Sequence, residues 1–312
     1  MIPLKEVVQV LLGDESIKES WQYIIINYRI PKAIVAVLVG AGLGVSGLLM
    51  QTLFRNPLAG PYVLGLSSGA SLGVAIVILG ASLFGGVLGQ FLVTKWSLII
   101  ASSGGSFLVL LAVVIVSSRV KDTMAILIIG LMFASVTAAL VSVLSYFSTA
   151  EELQRYIFWS FGSLGNLTWD ELTILFSAFV IGIGLTIYSI KSLNILLLGD
   201  NYAQSLGLNI KKHRFILILA TSVLAGSITA FVGPIAFVGL AVPHLTKLFF
   251  DTSNHRILVP AVLLSGSILL LLCDSISQLP MSEFTLPINA VTSLFGAPVV
   301  IWLLVRKKKL FV

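Results

Sequence analysis

The chain has 312 residues, 57% hydrophobic and only 10% charged, with a formal net charge of +6 and a mean hydropathy of +1.06. Soluble domains carry about 25% charged residues, so the composition excludes a water-soluble globular protein and makes the bilayer the solvent. The excess of positive charge does not point to nucleic acid, because Lys and Arg sit at the ends of apolar runs rather than in a basic stripe.

Residues 1–30 mix Lys5, Glu6, Asp14, Glu15, Lys18 and Glu19 with apolar residues and hold no signal-peptide apolar core. A membrane-spanning helix needs about 20 apolar residues. Spans are expected over about 33–53, 64–92, 97–117, 124–147, 172–190, 215–232, 235–249, 257–277 and 287–305. The first contains GLGVSG (Gly42–Gly47), which matches a dinucleotide fingerprint in letters only. That fingerprint needs a preceding strand, whereas small residues inside an apolar helix let helices approach closely.

Gln51–Ala70 reads QTLFRNPLAGPYVLGLSSGA. Polar residues, Pro57, Pro61 and a Gly/Ser cluster interrupt the apolar pattern there. Irregular backbone at membrane depth survives only where protein buries it or it lines a watery cavity, so this broken helix is read as part of a transport pathway. Gly65–Gly69 matches G-x-S-x-G, but a hydrolase elbow needs His and acidic partners, and the neighbouring sequence offers none. The stretch 215–249 is short for two spans; Gly233 and Pro234 mark its turn, and the second helix should be stubby. Cys273 lies inside an apolar run and reads as a small buried residue. His213, His244 and His255 are too dispersed for a metal site.

Alternating the sides places Arg55, Arg119, Lys121, Lys191, Lys211, Lys212, Arg214, Lys247, Arg256 and Arg306–Lys309 on one face with Asp122, Asp200 and Asp251. The other face holds Lys5, Lys18, Arg29, Lys32, Lys95 and Arg155 with all remaining acidic residues. The positive-inside rule assigns the first face, and the C-terminus, to the cytoplasm. Nine spans then leave residues 1–30 as an external segment, and we expect one further helix before them, ten in all. The chain reads as one transmembrane domain over 1–312, with 191–213 (KSLNILLLGDNYAQSLGLNIKKH) as the long cytoplasmic loop. Its short apolar pattern, too short to span, suits docking in a partner's groove or a helix lying on the membrane surface. The spans hold almost no ionisable residues apart from Asp274, which argues against a secondary transporter driven by intramembrane charges.

Five blocks in this order resemble the permease subunits of bacterial ABC importers for iron–siderophore complexes, haem and cobalamin, the FecCD family. They are RIPK (Arg29–Lys32), GLLMQTLFRNPLAGPYVLGLSSGA, LGDNYAQSLGL, GPIAFVGLAVPHLTK (Gly233–Lys247) and LPINAVTSLFGAPVVIWLL (Leu286–Leu304). The resemblance, over about Pro3–Arg306, implies an all-α polytopic permease of ten helices in a bacterial inner membrane, the first apparently absent from this chain. It further implies a homodimer or close heterodimer with the pathway between subunits, two cytoplasmic ATP-binding subunits and an external binding protein. No enzymatic site, metal site or cofactor is implied, and no P-loop occurs. By position, Arg29 and Lys32 match the binding-protein docking pair. Asn56, Leu58, Thr123 and Met124 match pathway-gate positions. Gly199, Ala203, Ser205, Leu206 and Gly207 match the ATPase-contacting loop. The chain departs from the pattern at Gln278 and Thr285, where relatives often have Arg and Glu, and at Lys32, which loses an arginine's bidentate geometry. An iron–siderophore is the expected cargo, with haem and cobalamin as alternatives.

Overall fold

The structure, a computed structural model, describes residues 2–13, 18–81, 93–119, 123–278 and 285–307. All regular structure among the described residues is helical. Helix α1 (Leu4–Leu11) is short and rests through Val10 on Ile25. Helix α2 (Glu19–Leu53) is continuous through a π-helical turn at Ile25–Arg29. Pro31 cannot donate the usual helical hydrogen bond, and the wide turn lies immediately before it. The first span was expected from about residue 33. The helix instead starts at Glu19, because the polar positions that hide it from hydropathy do not prevent helical hydrogen bonding.

From Val35 to Phe54 only Val37 is exposed. A helix apolar all round belongs inside a bundle, and α2 is the axis on which four others pack: α7 (Trp169–Leu196), α9 (Ile210–Val232), α10 (Val238–Phe250) and α11 (His255–Ser277). Glycine makes this possible at two crossings. A Cβ on Gly40 would run into the Gly266 carbonyl of α11, and one on Gly47 into the Gly239 carbonyl of α10. The GLGVSG segment is thus a packing stripe, as its setting predicted.

A second layer is built from α3 (Leu66–Ile78), α4 (Lys95–Arg119) and α5 (Thr123–Phe147), with α3 crossing α4 at Gly69–Gly105 and Gly73–Ala101. Helix α6 (Ala150–Ser160) is short and opens with a capping box between Thr149 and Glu152. Helix α8 (Asp200–Ser205) lies between α7 and α9, and α12 (Ile288–Lys307) follows α11. Among the described residues, six helices are long and apolar enough to cross a membrane; Leu66–Ile78, Val238–Phe250 and Ile288–Trp302 are shorter apolar helices. All nine expected spans fall on these helices. The 64–92 span is the least regular: it enters through a 3-10 turn at Pro61–Leu64, and residues 82–92 lie outside the described set. Gly233 (φ 85) ends α9 where the turn was expected.

Candidate functional site

At one end of the bundle the segment after α7 forms a small, well-held projection. Sequence reading opened this loop at Lys191. The helix runs on to Leu196, because Leu193 and Leu196 fall on the buried face and carry it past polar Lys191, Ser192 and Asn194. Gly199 then adopts φ 101, ψ 158, a region open essentially to glycine alone. Helix α8 follows and closes in a Schellman motif: Gly207 (φ 82) donates to the Gln204 carbonyl and Leu208 to the Ala203 carbonyl. Asn209 Oδ1 accepts from the Lys212 amide to start α9.

The five residues expected to contact an ATPase divide into two groups. Ala203 is wholly buried and anchors α8 to the core, and Gly199 shapes its entry. Ser205, Leu206 and Gly207 face outward with Tyr202 and Leu198; Leu206 is 62% and Tyr202 70% exposed.

Beside α8 lies the turn that leaves α2. Arg55 takes φ 47, with Arg55 N–H donating to the Thr52 carbonyl and Asn56 N–H to the Gln51 carbonyl. This is a second Schellman closure, with arginine where glycine is ordinary. Asn56 Oδ1 accepts from the Leu58 amide at 2.9 Å and Asn56 O from the Ala59 amide at 3.0 Å. The Asn56 side-chain oxygen thus helps to fold the turn. Leu58 projects, 44% exposed. The chain then re-enters the bundle: Ala59, Leu64 and Leu66 are buried, and Ser106 Oγ donates to the Leu66 carbonyl at 3.0 Å. Thr123 and Met124 open α5; their side chains lie outside the described set. The strand of contact between the turn and α5 is at Gly65, where a Cβ would stand 3.3 Å from the Gly130 carbonyl oxygen.

Two polar clusters join the helices at this same end. Asp200 Oδ1 lies 3.3 Å from Arg55 Nη2, and its Oδ2 lies 2.7 Å from Arg214 Nη2. Deeper, His255 sits between Thr52 Oγ1 and Asn194 Oδ1, each at 2.8 Å, linking α2, α7 and α11. Sequence reading placed Arg55, Asp200 and Arg214 on one face but did not pair them. The signal was an aspartate beginning a helix on the face with few acidic residues.

At the opposite end Lys32 Nζ meets Asp274 Oδ1 at 2.9 Å, and Gln278 Nε2 donates to Asp274 Oδ2 at 2.9 Å. Lys95 Nζ bonds Glu171 Oε2 at 2.6 Å, and Glu171 also completes the α7 capping box. The expected docking pair is thus unequal. Lys32 is neutralised within the chain, because α2 and α11 bring it against Asp274, and Arg29 is exposed. The ion pairs Lys32–Asp274, Arg55–Asp200, Lys95–Glu171, Glu151–Arg155 and Asp200–Arg214 each join groups that the charge count placed on the same face.

Comparison with known proteins finds relatives of the chain in sequence and in fold. The model of the FecCD transport family matches residues 1–306. The chain is 34% identical over 281 residues to the vitamin B12 import system permease BtuC of Citrobacter koseri, covering 90% of this chain and 82% of the relative. It is 35% identical over 294 residues to that of Klebsiella pneumoniae subsp. pneumoniae, covering 94% and 86%. A solved inward-facing structure assigned to the metal-chelate type of ABC transporter superposes with a TM-score of 0.83 at 30% identity, over 97% of this chain and 96% of that one. PsaBC from Streptococcus pneumoniae in complex with Fab shares the fold, with a TM-score of 0.56 at 16% identity over 95% and 94%.

Proposed function

Because the chain belongs to the FecCD transport family, we propose that it is the ATP-coupled half of an import pathway: the α8 projection receives the ATPase, and the Asn56–Ala59 turn gates the passage. The coarse assignment is a multi-pass ABC importer permease and not an enzyme, in keeping with its permease relatives. The observation that carries the finer reading is the set of exposed apolar side chains on and beside α8, Leu198, Tyr202 and Leu206, with α8 held by buried Ala203 and flanked by two glycine-dependent turns. An apolar patch on a rigid polar-rimmed mount suits helix-in-groove docking, and here the mount stands one ion pair away from the gate turn.

In this reading two copies of the chain, or this chain and a close relative, enclose the pathway. Two cytoplasmic ATP-binding subunits dock on Leu206, Gly207 and Ser205. An external binding protein meets Arg29 at the other end, with Lys32 available once its bond to Asp274 is exchanged. Surface charges of this kind set register and encounter rate more than affinity. Leu58 projects as the apolar side of the constriction, and Thr123 and Met124, whose backbone opens α5, match its other positions. The C-terminus is cytoplasmic.

The cargo is a bulky metal chelate whose recognition belongs mainly to the binding protein. The sequence resemblance favours an iron–siderophore. The similarity to vitamin B12 permeases favours cobalamin as the second reading. The secondary-transporter alternative ends with the family assignment.

Sidedness is tested by labelling. A cysteine replacing Ser163, in the turn between α6 and α7, reacts with an impermeant maleimide added outside intact cells, while one replacing Ser253, between α10 and α11, reacts only after permeabilisation. The native thiol, Cys273, is buried and gives little background. The reverse pattern would move α8 to the outside and end the docking assignment.

A further inference from the structure

We propose that Asp200 is a coupling residue, an ionic tether by which movement of α8 is delivered to the gate turn through Arg55. The proposal deepens the reading of α8 and of the Asn56–Ala59 turn given above and rests on it. Asp200 is the first residue of α8, and its two carboxylate oxygens serve different elements: Oδ1 holds Arg55 at the end of α2, and Oδ2 holds Arg214 near the start of α9. One side chain thus touches the docking helix, the gate turn and the helix that follows the loop.

The backbone at Arg55 says that this contact is not incidental. A side chain in the left-handed region crowds its own carbonyl, which is why glycine dominates the residue after a helix cap. Gly207 at the end of α8 follows the rule, and Arg55 at the end of α2 breaks it with φ 47. Glycine would close the helix equally well, so the closure itself does not call for arginine. Stability does not call for it either. Arg55 is 43% and Asp200 31% exposed, and exposed pairs contribute little to folding. What arginine alone supplies is reach: its guanidinium lies against the Gly199 Cα, where a Cβ would approach Nη1 to 3.3 Å, and arrives at Asp200. Both partners are mounted stiffly. Ala203 seats α8 in the core, and the Asn56 side chain ties the gate turn to itself. Coupling between sites travels through contiguous rigid elements, and here two of them share one carboxylate.

The test uses the permease assembled with its ATPase subunits in liposomes and reads thiol labelling of Leu58→Cys on the permease, with and without ATP and magnesium. With the tether intact, nucleotide changes the labelling rate by about tenfold, a typical size for coupling between two sites. In Asp200→Asn the change falls to within about twofold, and Asp200→Glu restores most of it. Arg55→Gly is the decisive variant. It relieves the backbone strain and so folds at least as well as the parent, yet it loses the nucleotide response as fully as Asp200→Asn, and the double variant loses no more than either single one. A purely structural arginine predicts the opposite, an unimpaired response in Arg55→Gly. A tenfold response retained in both single variants, or no response in the parent Leu58→Cys, overturns the tether. In the same preparations Leu206→Cys is shielded from label by the ATPase subunits in every variant. Equal labelling with and without those subunits overturns the docking reading, and the tether with it, whereas shielding with an unchanged gate response overturns the tether alone.

Discussion

Leu206→Asp abolishes ATP-driven uptake while leaving the permease folded in the membrane. The side chain it replaces is 62% exposed and makes no part of the core, so the isolated chain tolerates the charge. On the docking proposed above, the same carboxylate would enter an apolar groove of the ATPase without a partner, at a cost of about 3 kcal/mol, or on the order of 100-fold in affinity. Co-purification of the ATPase subunits with the permease measures the loss directly, and thermal stability of the permease alone reports whether folding is intact. Ala203→Asp provides the contrast. Ala203 is fully buried, so this variant fails as a folded protein rather than as a partner.

Gly47→Val has the largest expected effect on the fold. Its Cβ would overlap the Gly239 carbonyl in the closest crossing of α2 and α10. Overpacking of this kind costs typically 1–3 kcal/mol, and here neither side can yield, because both obstacles are backbone. In the membrane there is little hydrophobic drive to hold displaced helices together, so the variant should melt well below the parent in detergent and accumulate poorly. Gly184→Ala supplies the control on α7, where nothing lies within 4 Å of an added Cβ. There the alanine should be neutral or stabilising by up to about 1 kcal/mol through helix propensity. Equal melting of Gly47→Val and the parent would show that the α2–α10 crossing is not the close contact described.

How much of this was legible in the residues depends on the scale of the interaction. Apolar length and Gly/Pro punctuation report local physics, so the spans and the break at Gly233 could be read directly. The Gly42–Gly47 stripe could be read as packing because small residues in an apolar helix have few other uses. Helix ends were less legible. Hydropathy stops where polarity starts, but α2 begins at Glu19 and α7 continues to Leu196, since backbone bonding and a one-sided leucine pattern carry both helices through polar residues. The partners of charges were not legible at all. Lys32 meets Asp274, and Arg55 meets Asp200, only because distant segments share one end of the bundle. The same dependence on tertiary placement hid that Lys32 is paired with Asp274 while Arg29 is exposed, and that the Asn56 side-chain oxygen accepts from its own turn. In the loop proposed to meet the ATPase, pattern matching could name five positions but could not separate Ala203, which anchors, from Leu206, which projects.

The most direct test of the central claim is transport by the reconstituted importer. The permease, its ATPase subunits and its binding protein are placed in liposomes, and uptake of a ferric siderophore and of cyanocobalamin is followed with and without ATP. The account predicts accumulation of one of these chelates that requires ATP, requires the binding protein and disappears with Leu206→Asp. Accumulation that persists without ATP, or that is undiminished by a charge at Leu206, would contradict it.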